Sequence, residues 1–108
     1  MTTTLRRRSL VFACLALSLA AHAGGATQAI AIDKFAYVPK EITVAPGTTL
    51  VWTNHDQTPH MVMARDKSFS SPALDTDDSY RFTFTKAGDF SYFCSMHPFM
   101  TGIVHVRK

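Results

Sequence analysis

Hydrophobic residues recur at every second position along most of this chain, in short runs broken by turn residues. Residues 79–85 are the clearest case. Tyr80, Phe82 and Phe84 fall on one side and Arg81, Thr83 and Thr85 on the other, which is the period of a half-buried antiparallel strand. Residues 28–32, 35–38, 41–45, 48–53, 60–64, 90–94 and 102–107 also read as strands, with Ile42 and Val44 paired on one face and Leu50 and Trp52 on another. The breaks carry their own chemistry. Pro46 presets φ and Gly47 accepts a positive φ, so Pro46-Gly47 predicts a turn; Asp33-Lys34, Pro39, 54–59 and 86–89 interrupt the other runs. Residues 65–78 are polar, contain Pro72 and hold no helical period, and are read as a long surface connection. The predicted fold is all-β, a Greek-key β-sandwich of seven to eight strands with its Phe, Tyr and Trp residues in the core.

The first 23 residues follow a different rule. Arg6, Arg7 and Arg8 precede an uncharged apolar run over 10–21, which ends in Ala21-His22-Ala23. A basic start, a short apolar run and small residues at the end describe a secretory signal peptide. The run is shorter than the roughly 20 residues that cross a bilayer. We therefore expect residues 1–23 to be cleaved, residues 24–108 to form one domain that is not embedded in the membrane, and the protein to reside in the periplasm. The formal charge of +3 then belongs to the three leader arginines. The remaining chain is balanced and shows no basic cluster, which argues against nucleic acid or anionic lipid as partner. Cys14 leaves with the leader, so Cys94 is alone and no disulfide can form within the domain. A lone thiol in an oxidising compartment is buried or ligated.

The residues around Cys94 favour ligation. Cys94-Ser95-Met96-His97-Pro98-Phe99-Met100 spaces a thiolate, an imidazole and a thioether three residues apart between two predicted strands. His60 follows Pro59 at the start of another strand, and a sandwich can bring such strand ends to one pole. Two imidazoles, a thiolate and a weak axial Met make a blue-copper electron-transfer site. His60, Cys94, His97 and Met100 are the predicted ligands of one copper ion per chain. Four protein ligands leave no open position, unlike a catalytic metal site, so no enzyme activity is expected. Zinc suits the Cys and His but not Met100, and the motif lacks the second cysteine of a c-type haem site. His55 and His105 are read as solvated, and Met61 and Met63 as packing.

The chain resembles the cupredoxins, and among them the amicyanins. The resemblance runs through Phe35-Ala36-Tyr37-Val38-Pro39-Lys40-Glu41-Ile42, Ala45-Pro46-Gly47, Val51-Trp52-Thr53-Asn54, Pro59-His60 and the stretch ending His97-Pro98-Phe99-Met100. It implies copper ligation by His60, Cys94, His97 and Met100 and a periplasmic electron carrier. Two positions depart from the pattern. Where Met61 stands the family commonly has an Asn that ties the two ligand loops, and Met61 cannot make that bond. Where Met96 stands amicyanins have Pro, so here an extra N–H is available, and we expect it to donate to the Cys94 sulfur.

The leading functional expectation is a soluble, monomeric one-electron carrier cycling Cu(II) and Cu(I). The alternative is a periplasmic module that stores or delivers copper. Redox protein partners are expected to dock on an apolar ring of Pro59, Met96, Pro98 and Phe99 around the exposed edge of His97, with His60 shielded in the body of the sandwich.

Overall fold

The computed structural model describes residues 25–108; the leader read at residues 1–23 lies outside the described residues. Eight strands follow in order: β1 Thr27–Asp33, β2 Ala36–Val38, β3 Glu41–Val44, β4 Thr48–Asn54, β5 Met63–Ala64, β6 Ser79–Phe84, β7 Gly88–Cys94 and β8 His97–Val106. They form two four-stranded sheets, ordered β2-β1-β4-β6 and β3-β8-β7-β5. The β6 run pairs antiparallel with β4, as its alternation predicts, whereas β1 with β4 and β3 with β8 are parallel pairs. Three of the four sheet edges are short: β2 has 3 residues, β3 has 4 and β5 has 2, against 6 in β6.

Alternation places the core between the sheets. Ile30, Ile32, Leu50, Trp52 and Phe84 face inward from one sheet, and Val44, Tyr92, Val104 and Val106 from the other. Phe69 and Leu74 of the connection before β6 join them, so that segment is not wholly surface. Two glycines are required by geometry. Gly47 takes φ 93 in the predicted turn, a value that favours glycine. Gly102 lies under Tyr92, and a Cβ there would fall 2.4 Å from the tyrosine ring.

Two strand expectations change. The run over 60–64 is a strand only at Met63–Ala64. His60 makes a single bridge to Leu74, the Met61 N–H turns to Cys94 Sγ, and the Val62 N–H is taken by the Ser71 hydroxyl. These side-chain acceptors interrupt the ladder. Conversely, β8 begins at His97 rather than at Gly102. Cys94 pairs with His97 and Phe93 with Thr101, so Pro98, Phe99 and Met100 bulge between those two pairs.

His105 is not simply solvated. It lies in β8 directly opposite Asp89 of β7, whose Oδ1 is 2.7 Å from its Nδ1, while Glu41 Oε2 of β3 meets its Nε2. Arg107 also reaches Asp89, at 2.7 Å. Only the protonated ring donates to both carboxylates. The Asp89 and Glu41 hydrogen bonds accordingly raise the His105 pKa above the usual imidazole value, and the His105 and Arg107 hydrogen bonds lower that of Asp89.

The signs follow from linkage. A raised histidine pKa contributes stability that is complete below the unfolded-state value and lost as pH rises through the folded one. A lowered aspartate pKa contributes stability present above its unfolded value and lost as pH falls through the folded one. The copper-free protein should be most stable between about pH 4 and about pH 6.5 as far as this cluster is concerned. His105→Gln should remove the decline on the alkaline side, measured as urea midpoint against pH; an unchanged profile would show that the cluster does not contribute.

Candidate metal centre

At one pole of the sandwich three donor residues converge. Among the described residues, His60, Cys94 and His97 form a group whose ligand atoms all lie within 4.8 Å of one another. Cys94 Sγ is 3.9 Å from His60 Nδ1 and 3.6 Å from His97 Nδ1. An ion about 2.0 Å from nitrogen and about 2.3 Å from sulfur, with a trigonal angle, requires about 3.7 Å between them. The spacing therefore fits a first-row metal in a trigonal set of two nitrogens and one sulfur. Met100, three residues beyond His97 in the bulge, is buried, and its soft thioether suits copper rather than zinc. Cys94 and His60 are 0% exposed, while His97 is half-buried at the surface.

His60 is aimed from behind. Its Nε2 lies 2.8 Å from Asp56 Oδ2. With that nitrogen donating to the carboxylate, Nδ1 is left bare and faces the sulfur, so one hydrogen bond fixes both tautomer and ring orientation. Asp56 also accepts the N–H groups of Lys34, 2.7 Å to Oδ1, and Phe35, 2.9 Å to Oδ2. Lys34 and Phe35 both adopt positive φ, 53° and 59°, and their successive N–H groups form a concave anion-binding nest. Burial pushes the Asp56 pKa up, but the hydrogen bonds from Phe35, Lys34 and His60 outweigh it and hold the carboxyl below the usual range.

The loop carrying Asp56 and His60 is tied by Asn54 at the end of β4. Its side-chain amide donates to the carbonyls of Thr58, 3.0 Å, and Leu74, 2.9 Å, and its Oδ1 accepts the Asp56 N–H at 2.9 Å. Asn54 is 0% exposed, and such a satisfied buried amide specifies the loop geometry.

Met61 joins the two ligand segments by a route the sequence reading did not contain. The Met61 N–H donates to Cys94 Sγ at 3.3 Å, its carbonyl accepts the Tyr37 hydroxyl at 2.5 Å, and its Sδ accepts the Ser95 hydroxyl at 3.1 Å. Among the described residues, the backbone N–H that reaches the sulfur is thus that of Met61, not Met96. Where the family's Asn would tie the loops, the Met61 thioether instead accepts the Ser95 hydroxyl. The sequence reading also missed Asp56, whose one available signal was an acid four residues before a candidate ligand, and Tyr37, whose phenol burial holds neutral with its pKa raised.

Removing Asp56 should loosen His60 without removing a donor. Asp56→Ala is expected to weaken metal binding about 10- to 100-fold, read by competition with a chelator of known affinity. An affinity equal to that of the unchanged protein would show that His60 is held by packing alone.

Comparison with known proteins gives this pole its context. A family model described as a cupredoxin-like domain matches residues 8–106. The chain is 35% identical over 83 residues to amicyanin from Paracoccus versutus, across 72% of this chain and 63% of that protein, so it spans just under two thirds of that relative. Its fold is similar to a purple cupredoxin from Nitrosopumilus maritimus, with a TM-score of 0.70 at 32% identity over 73% of this chain and 98% of that one. It is also similar to a copper(I) amicyanin variant, with a TM-score of 0.71 at 32% identity over 75% and 82% of the two chains. The family match takes in all eight strands and every donor described above, and the chain belongs to the cupredoxin-like family.

Proposed function

We propose that the protein is an exported, monomeric blue copper protein that carries single electrons, with one copper ion held by His60, Cys94, His97 and Met100. The observation that carries this reading is the convergence of Cys94 Sγ on two Nδ1 atoms at 3.9 and 3.6 Å, one from a buried imidazole and one from an imidazole at the surface. Copper supplies a one-electron couple, its thiolate and imidazole ligands suiting Cu(I) and Cu(II) respectively. The chain holds the donors still. His60 is fixed by Asp56, the Cys94 sulfur accepts the Met61 N–H, and Met100, three residues beyond His97, is buried. A donor set that need not rearrange keeps the cost of changing oxidation state low.

His97 marks the way in and out. Near it in the chain Met96 is 48% exposed and Phe99 71% exposed; Pro98 is exposed, and Pro59, beside His60, is half-buried. Exposed apolar groups of this kind mark a partner site, and redox encounters use small interfaces that release readily. Redox proteins are the partners this surface suits. The basic, apolar leader at residues 1–23 supports export to the periplasm. A storage or delivery role would call for easy release of the ion, whereas complete burial of His60 and Cys94 favours retention. The same retention, with four protein donors, favours a carrier over an enzyme.

The copper(II)-loaded protein should be intensely blue. Cys94→Ser should abolish that absorption, and Met100→Ala should shift it while leaving colour; a Cys94→Ser protein that stayed blue would overturn the ligand assignment. Docking is tested separately. Phe99→Ala should slow electron self-exchange between Cu(I) and Cu(II) copies by about tenfold with little change in the visible spectrum. The opposite pattern, an altered spectrum with unchanged exchange, would assign Phe99 to covering the metal.

A further inference from the structure

Phe35 has no part in the donor set, and the core does not account for it. Its side chain stays 41% exposed although its backbone holds φ 59. A bulky residue in the left-handed region persists only where its surroundings impose it. Here Asp56 imposes it, by accepting the N–H groups of Lys34 and Phe35.

The result of that constraint is a ring contact on each imidazole. The Phe35 centroid lies 5.0 Å from the His60 ring at 88° and 5.0 Å from the His97 ring at 83°. The two imidazoles lie 5.0 Å from one another at 64°. Three rings therefore close a triangle of equal sides, each meeting the others edge to face, which is the arrangement favoured by aromatic quadrupoles. For His60 this is a second restraint after the Asp56 hydrogen bond. For His97 it matters more. That residue follows a short surface turn, and its other aromatic neighbour, Phe99, is 6.1 Å away and 71% exposed.

We propose that Phe35 is a positioning residue of the metal centre, holding the rings of His60 and His97 in their ligating orientation before an ion binds. The proposal rests on the reading of those two residues as ligands. Asp56 then orients His60 directly through Nε2 and both histidines indirectly through the Phe35 backbone. Phe35 supplies no donor atom and changes no charge. It acts by removing the ring rotation that ion binding would otherwise have to freeze, which is preorganisation in the ordinary sense.

The test uses Phe35→Leu, which keeps apolar bulk without the ring, and Phe35→Tyr, which keeps the ring. In the copper-free protein, NMR relaxation of the histidine side chains should show the His97 ring gaining mobility in Phe35→Leu, with the urea midpoint near that of the unchanged protein. In the loaded protein, transfer of Cu(I) to a chelator should quicken about two- to tenfold in Phe35→Leu and return to the original rate in Phe35→Tyr. Ring mobility and copper transfer both unchanged in Phe35→Leu would overturn the proposal. So would a change that Phe35→Tyr fails to restore, since that would make Phe35 an ordinary packing residue. A protein that takes up no copper at all would instead remove the ligand reading, while the copper-free measurement would still decide the role of Phe35.

Discussion

One carboxylate organises the pole of this molecule. Asp56 accepts from the ring of His60 and from the backbone of Lys34 and Phe35, and is itself held by Asn54 through its own N–H. Its carbonyl accepts the Thr76 hydroxyl at 2.7 Å. Four parts of the chain thus meet on one residue: the end of β4, the β1–β2 turn, the His60 segment and the connection before β6. Hydrogen bonds to an ionised acceptor are the strong ones. A group engaged by three donors fixes relative positions that packing alone would leave adjustable.

The other half of the site is secured differently. Cys94 ends a regular strand, and the irregularity is placed after it, in the bulge of Pro98, Phe99 and Met100. Inward-facing alternation resumes at Met100, Gly102, Val104 and Val106. The sheet therefore absorbs the irregular segment without losing its register beyond it. Met61 bridges the halves with main-chain and side-chain atoms together. Of these contacts only the thioether one is made by an atom particular to methionine; the other two come from its backbone.

Much of this is legible in the sequence, for definite reasons. Period-two burial reveals a strand when one face is dry, and β4 and β6 show it residue by residue. Closely spaced Cys, His and Met reveal a donor set because few other demands bring those types together. What stays hidden depends on contacts far along the chain. Nothing in Asp33-Lys34-Phe35 announces positive φ, since neither Lys34 nor Phe35 is a residue that favours it; the conformation is imposed by Asp56, more than 20 positions away. Which N–H meets the sulfur depends on how two segments lie together, and sequence offers Met96 where the fold supplies Met61. His105 reads as an outward position and is one, but its neighbours come from β3 and β7 and appear only with the register.

The unequal lengths of the sheet edges have a consequence for behaviour in a crowded compartment. An open edge offers unpaired N–H and C=O groups to any passing strand. In β2, β3 and β5 there are too few such groups for a foreign strand to gain a foothold. The one longer edge, β6, carries Ser79, Arg81 and Thr83 outward, and a charge in its middle discourages stacking of like upon like. Backbone-mediated aggregation is thereby suppressed over most of the perimeter. A protein built this way can stay dispersed at high concentration, leaving brief, side-chain-driven encounters as its principal form of association.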